Sequence, residues 1–139
     1  MTGDGRLLYT ARTHTIGGRE RGVSRSSDGR LDVKLSVPGG PGMGTNPEQL
    51  LAAGWSACFE SAIALVAREM KVVLPADLAI DAEIDLNLGE GGYFLTARLN
   101  VTLPGLDSKV GMALLEGAHE ACPYSKATRG NVAVAVRLV

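Results

Sequence analysis

Residues 45–70 read TNPEQLLAAGWSACFESAIALVAREM, and this stretch decides the fold. Asn46, Pro47 and Gln49 supply in turn a capping residue, a proline at the first helical position and a capping-box partner. A helix is therefore predicted to begin near Pro47 and to end near Lys71. Leu50, Leu51, Trp55, Cys58, Ile63 and Val66 spread over more than one side of it, so burial on several faces is expected. One sheet covers only one face. A second sheet or a second subunit has to supply the rest.

On the N-terminal side of this helix, residues 38–44 (PGGPGMG) are too rich in Gly and Pro for regular structure and form a loop feeding it. Before the loop, residues 7–15 and 23–26 read as strands, separated by the charged turn Gly17-Gly18-Arg19-Glu20-Arg21-Gly22. Ser27-Asp28-Gly29 is a hairpin turn, after which Leu31, Val33, Leu35 and Val37 alternate with polar residues as in a half-buried strand. The N-terminal third is thus predicted to be an antiparallel meander. On the C-terminal side, Leu78, Ile80, Ala82, Ile84, Leu86 and Leu88 alternate. A turn at 89–92 reverses the chain, and Tyr93, Leu95, Ala97, Leu99, Val101 and Leu103 alternate again. Residues 107–121 carry apolar side chains at helical spacing, Cys122-Pro123 ends or kinks that helix, and Val132, Val134, Val136 and Leu138 make a last strand. The order predicts an α+β fold of largely antiparallel sheets packed around two central helices, one domain over 1–139, assembled as an intertwined homodimer.

Fourteen basic residues are scattered among fifteen acidic ones, a balance that gives no nucleic-acid footprint. No uninterrupted apolar run reaches the length of a membrane span, and the N-terminal MTGDGRLLYTARTH lacks the long apolar region of a secretory signal. The expectation is a cytoplasmic protein with no nucleic-acid or membrane partner. The two cysteines, Cys58 and Cys122, form no CxxC and have no histidine at ligand spacing, which argues against a metal; no cofactor is expected. In a reducing compartment they are either two inert buried thiols or a working redox pair.

Cys58 lies mid-helix, where the helix dipole gives it little. If it is reactive, a cation must come from elsewhere, and Arg19, Arg21, Arg68 and Lys126 are the candidates, among which periodicity does not choose. Cys122, at a helix end beside Pro123 and Tyr124, either packs under the terminus or serves as a resolving thiol. Glu48 suits the first helical turn as a simple charge. Ten residues separate it from Cys58, roughly 15 Å along a helix axis, so the two do not touch within one unbroken helix. If both belong to one site, the simplest geometry brings Glu48 from a second subunit across a two-fold axis. His14 and His119 are expected to be solvated surface residues. Ser56, in GWSAC, lacks the closing glycine and the strand-to-helix turn of a hydrolase elbow.

Taken together, Gly17-Gly18-Arg19, SSDGRLDVKLSVP (26–38), GTNPEQLLAAGWSACF (44–59) and AHEACPYSKATRGN (118–131) resemble the organic hydroperoxide resistance (Ohr) branch of the OsmC superfamily over essentially the whole chain. The resemblance implies a thiol-dependent peroxidase acting on organic hydroperoxides, fatty-acid hydroperoxides included. It maps the peroxidatic cysteine onto Cys58, the resolving cysteine onto Cys122, the arginine after the double glycine onto Arg19 and the glutamate of NPE onto Glu48. It also implies an intertwined α+β dimer re-reduced by a lipoylated protein or dihydrolipoamide. The competing class is a non-catalytic dimer that carries a hydrophobic ligand; it explains the apolar helix but gives no reason for two cysteines.

Overall fold

The computed structural model describes residues 5–139; residues 1–4, the start of the stretch read for a leader, lie outside them. Contacts divide the chain into two compact units, Met1–Pro47 and Glu48–Val139.

In the N-terminal unit, β1 (Thr13–Ile16), a single helical turn α1 (Gly18–Arg21), β2 (Val23–Ser26) and β3 (Asp32–Lys34) form the expected meander, a three-stranded antiparallel sheet in the order β1-β2-β3. It is shorter than the sequence pattern suggests. Thr13 pairs with Ser26, the last residue of β2, so the residues before Thr13 run past the end of their partner strand, and Leu7, Leu8 and Tyr9 are exposed. The hairpin turn itself forms as read, closed by the Ser26 hydroxyl donating to Asp28 and by the Arg30 N–H donating to the same carboxylate. Beyond β3, Leu35 makes one parallel bridge to Thr45 and is buried, while Val37 is exposed, so the alternation read over 31–37 ends before its last member.

Helix α2 (Pro47–Met70) starts at the proline, as the capping pattern predicts, and runs unbroken for 24 residues. The hairpin β4 (Ala79–Gly89) and β5 (Gly92–Thr102) also follows the sequence pattern, with Ile80 opposite Val101, Ile84 opposite Ala97 and Leu88 opposite Tyr93. Helices α3 (Ser108–Ala121) and α4 (Pro123–Thr128) lead to β6 (Ala133–Leu138). Pairing is largely antiparallel, as expected, with one exception. β6 runs parallel to β5, giving a mixed sheet in the order β4-β5-β6, because the two intervening helices act as a crossover that returns the chain in its original direction.

The core lies on one face of this sheet. Trp55, Phe59 and Ile63 of α2, Leu114 of α3, and Leu99 and Val101 of β5 are fully buried, with Ile80, Ile84, Val134 and Val136 packed against them. Each such side chain contributes on the order of 1.5–3 kcal/mol. Close approach of α3 to α2 depends on Gly117, where an added Cβ would lie 2.8 Å from a Val66 methyl. By length and composition alone α2 is apolar enough to cross a membrane. The same properties belong to a core helix, and Trp55, Phe59 and Ile63 bury one face of this one in the core.

The opposite face of the sheet is polar. Arg98 donates Nη1 and Nη2 to the two oxygens of Asp85 at 2.7 and 2.8 Å, and Nε to Glu83 at 2.8 Å. Thr96 donates to Asp85, and Asn87 donates to Thr96. The bidentate Arg98 pair holds the Asp85 carboxyl down to about 2, with the Thr96 bond adding to it.

Candidate active site

Two cysteines 64 residues apart meet where α4 crosses α2. The Cys122 thiol donates to Cys58 Sγ over 3.4 Å, and both thiols are free. Closing that gap to a covalent bond requires roughly 1.4 Å of movement. Cys122 is fully buried, and Cys58 is half-buried.

Local sequence explains the placement. Pro123 forces Cys122 into an extended conformation, with ψ at 124°, which ends α3 and makes Cys122 the capping residue of α4. The chain thus turns sharply at the thiol, and Tyr124 and Ser125 just after it contact α2. One step beyond the cysteines, Trp55 Nε1 donates to Ser125 Oγ at 3.2 Å, both side chains being fully buried. Beside that bond, the Tyr124 ring lies over Gly54, where an added Cβ would stand 2.9 Å from the phenol oxygen and 3.3 Å from Cζ. A glycine in mid-helix costs about 1 kcal/mol relative to alanine. At Gly54 it opens the space that the ring occupies.

Burial pushes the Cys58 thiol above its ordinary value, and the neighbouring Cys122 adds to the rise; the Tyr124 backbone N–H pulls the other way. A thiol so placed reaches its reactive thiolate form near neutral pH only with help from positive charge. Of the four cations considered, Arg68 lies ten residues along the unbroken α2, roughly 15 Å away by helical rise. Lys126 is on α4 and exposed. Arg19 and Arg21 belong to α1 in the N-terminal unit, Arg19 half-buried and Arg21 exposed. Glu48 occupies the first turn of α2, as read, and the unbroken helix keeps it roughly 15 Å from Cys58 of the same chain.

The histidines divide. His14 is exposed on β1. His119 is not the solvated residue expected from sequence: its ring lies against Phe59 with centroids 6.4 Å apart, and Nδ1 is buried without a hydrogen-bond partner among the described residues. Burial, and then the charge of Arg129, lower its pKa. The Ser56 hydroxyl donates to the Ala52 carbonyl at 2.7 Å, so it is engaged within its own helix. Among the described residues, no three His, Cys, Asp or Glu side chains gather to hold a metal.

Sequence reading missed helix α4 and the Gly54, Trp55, Tyr124 and Ser125 contacts that seat it. One signal was available. Gly54 is the only glycine inside α2, and an isolated glycine within a helical pattern usually answers to close packing.

The chain matches the family model described as OsmC-like protein over residues 40–137. It is 44% identical to an organic hydroperoxide resistance protein of Xanthomonas axonopodis pv. citri across 99% of both chains. It is 40% identical to the organic hydroperoxide resistance protein OhrA of Bacillus subtilis, across 94% of this chain and 96% of that one. The crystal structure of OhrB from Bacillus subtilis superposes with a TM-score of 0.89 at 41% identity, covering 96% of this chain and all of the other.

Proposed function

This chain belongs to the OsmC-like protein family, in the company of organic hydroperoxide resistance proteins, and we propose that it is a cysteine-based peroxidase that detoxifies organic hydroperoxides, fatty-acid hydroperoxides included. The observation that carries the reading is the pair of free thiols 3.4 Å apart, one half-buried and one fully buried. Two sulfurs at that separation suit a two-electron cycle without metal or organic cofactor.

In this reading the Cys58 thiolate attacks the terminal, hydrogen-bearing oxygen of the hydroperoxide, the O–O bond breaks, and the alkoxide leaves as the alcohol after taking a proton. Cys58 is then a sulfenic acid. The Cys122 sulfur attacks it, water departs, and a Cys58–Cys122 disulfide remains. A lipoyl dithiol, on a lipoylated protein or as dihydrolipoamide, returns the two electrons by thiol–disulfide exchange. Arg19, held by Glu48, supplies the positive charge that offsets the burial of Cys58 and steadies the departing oxygen. The chain acts as one OsmC-like domain over 1–139, in the cytoplasm, as an intertwined homodimer whose central helices pack antiparallel, so that Glu48 reaches the site from the second subunit. Support for a second subunit comes from α2 itself, whose Ala53, Ala57, Ala64 and Leu65 are exposed beside an open groove of about 460 Å3 at Leu74 and Pro75. Apolar side chains around Cys58 favour a substrate with an alkyl chain over a small polar peroxide.

The test is a thiol titration of the reduced protein before and after one equivalent of cumene hydroperoxide. Loss of both thiols to an intramolecular disulfide, with one equivalent of alcohol released, is the expected result. Retention of both thiols sinks the peroxidase and leaves the non-catalytic carrier of a hydrophobic ligand.

A further inference from the structure

Helix α4 is six residues long and carries the buried Cys122 at its start, so whatever fixes α4 on α2 fixes the sulfur pair. Two contacts do so. The Tyr124 ring fills the space left by the missing side chain of Gly54, and the buried Trp55–Ser125 hydrogen bond lies next to it in both helices. Residues 54, 55 and 58 of α2 thereby meet 124, 125 and 122, three contacts along one seam.

We propose that Gly54 and Tyr124 are positioning residues for the thiol pair: the seat of the Tyr124 ring on Gly54 sets α4 at the distance from α2 that presents Cys122 to Cys58. They act through the placement of α4, and the same placement aims the Tyr124 backbone N–H at Cys58. The biological use of this seat rests on the peroxidase reading; the seat itself concerns only how readily two thiols join.

That distinction sets the experiment. Diamide takes two electrons and two protons from a pair of thiols, leaving a disulfide and its own hydrazine, and so reports on the pair without any peroxide. In the full chain, Gly54→Ala places a methyl group against the Tyr124 phenol while improving the intrinsic helix preference of α2, so loss of the helix does not explain a defect. Displacing the reacting atoms by a fraction of an ångström to an ångström is expected to slow intramolecular disulfide formation roughly tenfold or more. The pH midpoint of thiolate absorbance for Cys58 is expected to move upward as the Tyr124 N–H is drawn away. Adding Tyr124→Phe to Gly54→Ala removes the nearest clashing atom and is expected to recover part of the rate and of the midpoint. An unchanged rate and midpoint in Gly54→Ala, or a slowed rate that the second substitution leaves untouched, overturns the proposal. A wild-type chain that forms the disulfide with diamide yet ignores cumene hydroperoxide removes the peroxidase reading and supports the seat as a property of the pair alone.

Discussion

The two faces of the β4-β5-β6 sheet solve opposite problems with the same strands. On the outer face, the charge of Arg98 is met by Glu83 directly across the ladder and by Asp85 two residues along, and hydroxyl and amide side chains complete the network. On the inner face, Leu99, between Arg98 and Asn100 in sequence, is fully buried, and the polar atoms gather at the seam of α2 and α4: two thiols, a tryptophan N–H and a serine hydroxyl. The outer face leaves its groups satisfied and partly solvated, which makes them chemically quiet. The inner face keeps a thiol short of water, which raises its pKa and makes its reactivity depend on what charge reaches it.

The largest effect that would break this comparison lies at Cys58. Cys58→Ser is expected to abolish hydroperoxide consumption, whereas Cys122→Ser is expected to permit one turnover and then leave Cys58 open to sulfinic and sulfonic acid formation, read by mass spectrometry. A surviving steady-state rate in Cys58→Ser would move the chemistry away from the inner face altogether. Next in size, Leu99→Ala opens a cavity in the core and is expected to cost about 2–5 kcal/mol in urea unfolding. A smaller loss would mean the inner face is less tightly packed than its burial implies.

Arg19→Ala sharpens the electrostatic half of the comparison. Loss of the assigned charge is expected to slow the first step roughly a hundredfold. Because burial holds Cys58 in its protonated form, the residual rate should climb with pH and reach half-maximum above the ordinary thiol range. An unchanged rate at neutral pH removes Arg19 from the assignment. The smallest effect belongs to the outer face. Asp85 has its carboxyl held at about 2, below the ordinary 3.8, so on acidification the unfolded chain takes up the proton first. The stability it contributes is present above about pH 4 and is lost as pH falls toward 2. Asp85→Asn is expected to flatten that part of the acid unfolding profile while leaving the peroxidase rate as it is.

How much of this was legible in the chain varies by element for physical reasons. The hairpin β4-β5 reads directly because apolar residues recur at every second position through both strands, and α2 reads directly because Asn46, Pro47 and Gln49 mark its start. The parallel direction of β6 is not in its alternation, since a strand buried on one face looks the same running either way. Pro123 hid α4: a proline that stops one helix is equally suited to open the next, and six residues carry too little periodicity to announce it. For the site, each cysteine stood out by residue type, and resemblance to a known family paired them; their 3.4 Å separation is a tertiary fact that no local spacing encodes. Strand β1 shows the reverse error, because residues 7–12 have the composition of a strand but run beyond the end of their partner.

Trp55 is the single tryptophan of the chain, and it sits one helical turn from Cys58 with its N–H bound to the helix that carries Cys122. Any movement of α4 that accompanies joining of the sulfurs must stretch or break that bond in a fully buried place. If the pair cycles as proposed, the emission of one indole, with no added label, should follow the closing and reopening of the two sulfurs in real time.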